Sequence, residues 1–126
     1  MGDYEVTDDE LDGAMSGIST HVLDTSKGRP AAGVAVTLER WELDAWLVCA
    51  TSKTDADGRC AELLTPANVL SGCYRLTFAT GEYFESDGRH TMYPEVGITF
   101  DVVRDGLSYH IPLLLSPFGY STYRGS

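Results

Sequence analysis

A repeated period of two limits this chain most. Val34, Val36 and Leu38 alternate with Ala35, Thr37 and Glu39, and Tyr74, Leu76 and Phe78 alternate with Arg75 and Thr77. Val96, Ile98, Phe100 and Val102 alternate in the same way with Thr99, Asp101 and Val103. An extended backbone sends successive side chains to opposite faces, so each segment has the pattern of a half-buried strand. Further strands are expected over 18–23, 46–51, 109–115 and 120–124, with one more starting at Arg59 after the Asp57-Gly58 turn. Turn signals come roughly every 8–12 residues, the spacing of an all-β sandwich. Segments 66–70 and 81–87 suit short helical turns.

The chain has 126 residues, 43% of them hydrophobic, enough for one compact core without disulfides. Three cysteines, Cys49, Cys60 and Cys73, form an odd and widely spaced set without a CxxC. They read as reduced thiols in a reducing compartment. The net charge of −10 disfavours nucleic acid and anionic membranes as partners. Six of the acidic residues fall within the first twelve positions, with no Lys or Arg among them. Residues 1–16 are therefore expected to form an acidic flexible leader, and 17–126 the folded domain. Such a leader lacks the basic start and apolar run of a secretory signal, and no apolar stretch is long enough for a membrane span. A cytoplasmic location is expected.

Three constellations could carry chemistry. Thr54-Asp55-Ala56-Asp57-Gly58-Arg59 looks briefly like a calcium loop but lacks its third oxygen position and distal Glu. Asp57-Gly58 fits a hairpin turn better, because glycine accepts positive φ. His90 lies in a loop composition and reads as a surface residue. His21 and His110 sit in apolar strands, where each could be a hydrogen-bonded structural histidine or a general base near neutral pH. The third constellation is the aromatic, hydroxyl-rich segment 116–126, expected to pack against something.

Ser19-Thr20-His21-Val22-Leu23-Asp24-Thr25 with Gly28-Arg29-Pro30-Ala31 resembles the opening motif of the transthyretin-related 5-hydroxyisourate hydrolases. Asp57-Gly58-Arg59-Cys60, Tyr109-His110-Ile111-Pro112-Leu113-Leu114-Leu115-Ser116-Pro117 and Tyr123-Arg124-Gly125-Ser126 are similar to that family's other signatures, in the family's order. The resemblance implies an all-β, transthyretin-like sandwich of about eight strands with one short helix. It also implies a homotetramer, a dimer of dimers, with substrate clefts between the dimers.

The implied reaction is hydrolysis of 5-hydroxyisourate, a product of urate oxidation, to 2-oxo-4-hydroxy-4-carboxy-5-ureidoimidazoline, with no metal or cofactor. Carried over motif by motif, the site is His21, Arg59 and His110 as catalytic residues. His21 and Arg59 also bind substrate, together with Tyr123, Arg124, Gly125 and Ser126. His110 is expected to activate water and His21 to position it or share its proton, while the Arg59 guanidinium holds the oxyanion. The alternative is a non-catalytic transthyretin-like carrier of a small ligand. Such carriers have Lys, Glu and Thr where this chain has His21, Arg59 and His110, and they lack the terminal Tyr-Arg-Gly-Ser.

Overall fold

The computed structural model describes residues 17–103 and 107–125. The expected acidic leader, 1–16, and Ser126 lie outside the described residues. Strands β1 (Ile18–Asp24), β2 (Arg29–Pro30), β3 (Ala35–Glu42), β4 (Ala45–Lys53) and β5 (Arg59–Leu64) come first. They are followed by a 3-10 turn at Pro66–Asn68, β6 (Gly72–Phe78) and helix α1 (Thr80–Glu85). Strands β7 (Val96–Val102), β8 (Tyr109–Ser116) and β9 (Gly119–Thr122) complete the order.

The strands form two sheets. One runs β4-β3-β6-β7, antiparallel throughout. The other runs β2-β1-β8-β9, with β5 also pairing β1. Within it β1 and β8 are parallel, in register from Ile18 opposite Tyr109 to Asp24 opposite Leu115. Ile18, Val22, Leu113 and Leu115 from this sheet pack against Val36, Leu38, Tyr74, Leu76 and Phe78 from the other. Each such side chain, taken fully out of water, contributes about 1.5–3 kcal/mol. The alternation read from the sequence is therefore the inner-outer alternation of a sandwich.

Two details differ from the expectation and one adds to it. The segment around Asp57-Gly58 does not close a hairpin, because β4 pairs β3 in one sheet and β5 pairs β1 in the other. The Asp55 carboxylate accepts the amides of Asp57 and Arg59, both at 2.9 Å, and so holds a compact loop that hands the chain from sheet to sheet. Next, β4 is an edge strand whose apolar run stays largely exposed, with Leu47 and Val48 at 45% and 62%. Finally, β9 ends at Thr122 and not at Arg124, and contact with β8 resumes only as a bridge between His110 and Gly125. Pro112 lies between these two points and has no N–H to offer a neighbour.

One buried charge ties the helix to β1. Asp24 is fully buried at the end of β1. Its carboxylate accepts from the Ser26 amide and hydroxyl, the Lys27 amide, the Tyr83 hydroxyl and Arg89 Nη2, the last two at 2.7 Å. Burial alone would raise its pKa, but the bonds from Arg89, Ser26 and Tyr83 together outweigh that and hold the carboxyl far below the usual range. Tyr83 is correspondingly pushed up to about 12, by burial and then by the carboxylate it donates to. The Arg89 guanidinium stacks 4.8 Å from the Phe84 ring centroid, closing the cluster.

Candidate active site

Directly opposed residues of neighbouring strands point to the same face. On β1, Ile18, Thr20 and Val22 are buried inward, which turns Ser19 and His21 outward. On β8, Tyr109, Ile111 and Leu113 face the core, leaving His110 and Pro112 outward. Arg59 of β5 is the Cα partner of His21, and His21 is the partner of Pro112. Continuing the pairing from Leu113 opposite Thr122 to His110 opposite Gly125 sets Tyr123 across from Pro112. The outer face thus carries two adjoining rows. One reads Arg59, His21, Pro112, Tyr123; the other reads Ser19, His110, Gly125.

Glycine makes both rows possible. Gly58 has φ of 76°, and a Cβ there would stand 2.4 Å from the Val22 carbonyl oxygen. Its own carbonyl accepts the Val22 amide at 2.7 Å, so the loop presses on β1 and delivers Arg59 beside His21. Gly125 donates its amide to the His110 carbonyl at 2.7 Å. A Cβ on it would come within 2.6 Å of His110 Cδ2. Only a residue without a side chain lets the terminal segment lie this close to the imidazole.

Both histidines are tuned toward the neutral form. Partial burial lowers the pKa of His21, and the Arg59 charge lowers it further. Asp55, Asp57 and a hydrogen bond to the Asp57 backbone oppose this without reversing it. His110 is also lowered, by burial first and then by the charges of Arg59 and His21. At neutral pH the face offers two uncharged imidazoles beside a guanidinium, the arrangement needed to move a proton next to developing negative charge.

The structure brings His21, Arg59, His110, Tyr123 and Gly125 to one face. It turns the Arg124 side chain to the other, where the guanidinium lies 4.2 Å from the Tyr109 ring centroid and donates to the Ser108 carbonyl at 3.2 Å. Ser19 was not singled out from the sequence, yet its Oγ lies 2.8 Å from His110 Nδ1. Its signal was parity: Ser19 and His21 stand two apart on one strand and share a face. His90 is exposed, and the three cysteines are free thiols. Among the described residues no three His, Cys, Asp or Glu side chains cluster as metal ligands would. None of the described helices is long and apolar enough to cross a membrane.

Comparison with known proteins shows the family to which the chain belongs. Residues 18–125 match the model of the HIUase/Transthyretin family. A 5-hydroxyisourate hydrolase of Mus musculus is 44% identical over 113 residues, covering 88% of this chain and 96% of the relative. The structure of Klebsiella pneumoniae 5-hydroxyisourate hydrolase superposes with a TM-score of 0.78 at 40% identity, over 88% of this chain and 100% of that one. Transthyretin from Sparus aurata gives a TM-score of 0.83 at 33% identity, over 87% of this chain and 97% of its own.

Proposed function

This chain belongs to the HIUase/transthyretin family, and from that premise we propose that it is a hydrolase that opens 5-hydroxyisourate to 2-oxo-4-hydroxy-4-carboxy-5-ureidoimidazoline. The observation that carries the reading is the pair of rows holding Arg59, His21 and His110 on one face.

Opening a cyclic ureide means adding water to a ring carbonyl and expelling a ring nitrogen. A neutral imidazole takes the proton from water as the C–O bond forms and returns it to the nitrogen as the C–N bond breaks. The Arg59 guanidinium is a planar, permanently charged fork suited to the substrate's carbonyl oxygens and to the oxyanion. One oxyanion donor is worth about 3–4 kcal/mol of barrier. The Tyr123 hydroxyl recognises the ring, and Gly125 closes the site against His110. Arg124 joins them through its backbone, because its side chain is engaged with Tyr109 and Ser108.

In a single chain this face is open, with Tyr123 56% exposed. The proposal therefore includes a homotetramer, a dimer of dimers, whose second dimer covers the face and excludes water from the reaction. Three free thiols support a reducing, cytoplasmic setting. A transthyretin-like carrier would share the fold but would have no use for two neutral imidazoles beside an arginine.

The test is an assay in which urate oxidase generates 5-hydroxyisourate and its absorbance decay is followed. Added protein is expected to speed the decay, and His21→Ala, Arg59→Gln and His110→Ala to abolish most of that acceleration. Unchanged decay with the folded wild-type protein would overturn the proposal.

A further inference from the structure

His110 is held on both edges. Ser19 Oγ meets its Nδ1 at 2.8 Å, and Gly125 lies against Cδ2 on the opposite edge. With those two edges occupied, the ring tip, Cε1 and Nε2, is directed away from the sheet toward the outer face. Ser19 itself is 7% exposed. Among the described residues its hydroxyl has His110 Nδ1 as its hydrogen-bond partner and no carbonyl or carboxylate. A buried hydroxyl donates where an acceptor is available, since an unpaired buried donor forfeits its hydrogen bond to water. With Nδ1 as that acceptor, a neutral imidazole carries its proton on Nε2.

We infer that Ser19 is a positioning residue that locks His110 as the Nε2–H tautomer, so that His110 acts as a neutral hydrogen-bond donor while His21 moves the proton. The inference rests on the hydrolase reading above and reverses the roles expected of the two histidines from sequence. His21 accepts the proton of water as the water oxygen bonds to the ring carbonyl carbon. The imidazolium so formed returns that proton to the leaving nitrogen as the C–N bond breaks. Throughout, the His110 Nε2–H holds the carbonyl oxygen where negative charge develops, and His110 and Ser19 begin and end with the same protons. Giving up the Nε2 proton would leave an imidazolate, which is why His110 donates a hydrogen bond and not a proton.

The experiment uses full-length protein labelled with 15N-histidine, the His90→Gln, His110→Gln and His21→Gln forms serving to assign the ring signals. At neutral pH the wild-type spectrum is expected to show His110 with a bare Nδ1 and a protonated Nε2. In Ser19→Ala that preference is lost, and kcat falls about tenfold with KM within about twofold, as for an interaction made in the transition state. Ser19→Thr, which keeps the hydroxyl, restores both the spectrum and kcat. A wild-type His110 protonated on Nδ1 would overturn the inference without any variant, as would a Ser19→Ala protein with unchanged tautomer and kcat. Absence of hydrolysis by the wild type would defeat the reaction itself, whereas the tautomer is read from the spectrum alone, so the two failures are told apart.

Discussion

Gly125 lies flat against the edge of the His110 imidazole, at a distance where a Cβ would stand only 2.6 Å from Cδ2. Something must move if that carbon is added, and the movable partners are the ring and the terminal segment carrying Tyr123. Gly125→Ala is therefore expected to lower kcat/KM at least about tenfold while the sandwich, built elsewhere, keeps its melting temperature within a few degrees. Steady-state kinetics beside thermal melting by circular dichroism checks both halves. Full activity in Gly125→Ala would show that the contact is slack.

The pH profile follows from the two lowered imidazoles. A base that works unprotonated loses activity in acid, and burial followed by the Arg59 charge puts that loss below the ordinary histidine value of 6.5. kcat/KM should be level through neutrality and fall on an acid limb below that value. Arg59→Gln removes a positive charge that opposes imidazolium, so the limb of its residual activity should move up in pH. A limb that stays put, measured with the same buffer series, would mean that Arg59 does not act on the histidines electrostatically.

Gly58 makes a prediction of a different kind, since it supports Arg59 without touching substrate. Its φ of 76° and the Val22 carbonyl 2.4 Å from a would-be Cβ leave no room for alanine. Gly58→Ala should cost about 1–3 kcal/mol of stability, measured by urea denaturation. Lifting the loop also shifts Arg59 away from His21, so kcat/KM should fall more steeply than stability. Loss of stability with kinetics intact would separate the loop from the site.

Asp24 is a point where loss of one carboxylate should hurt the fold. Removing the carboxylate leaves the Tyr83 hydroxyl and Arg89 without their shared acceptor. Asp24→Ala is expected to cost about 3 kcal/mol, and Asp24→Asn less. The carboxyl is depressed in the folded state, so its contribution is present above the unfolded value of about 3.9 and lost as pH falls toward the folded one. The stability gap between wild type and Asp24→Ala should therefore persist from pH 7 to about pH 4 and shrink only in stronger acid.

Much of the sandwich could be read from β6, β7 and the first half of β3, where more and less buried residues alternate. β5 was harder to place. Its register against β1 shifts between Ile18 and Thr20, so the buried Cys60 and Leu63 stand three apart and the period of two is broken. Its membership in the other sheet depends on the Asp55 loop, whose capping bonds have no periodic trace. His21, Arg59 and His110 were legible as family motifs, not from spacing. Ser19 escaped notice because its partner lies 91 residues away, and only the parallel register of β1 and β8 brings the two together. That Tyr123 and Arg124 send their side chains to opposite faces was available from parity alone.

That parallel pairing also has a meaning for the growing chain. A nascent polypeptide emerging from the ribosome displays His21 and Arg59 long before it can supply His110, and until then β1 presents an unpaired flank of amides and carbonyls. Closing so distant a pair is entropically slow. A translation product halted before β8 would thus be no weak hydrolase but a sheet with an open seam, ready to zip onto another copy.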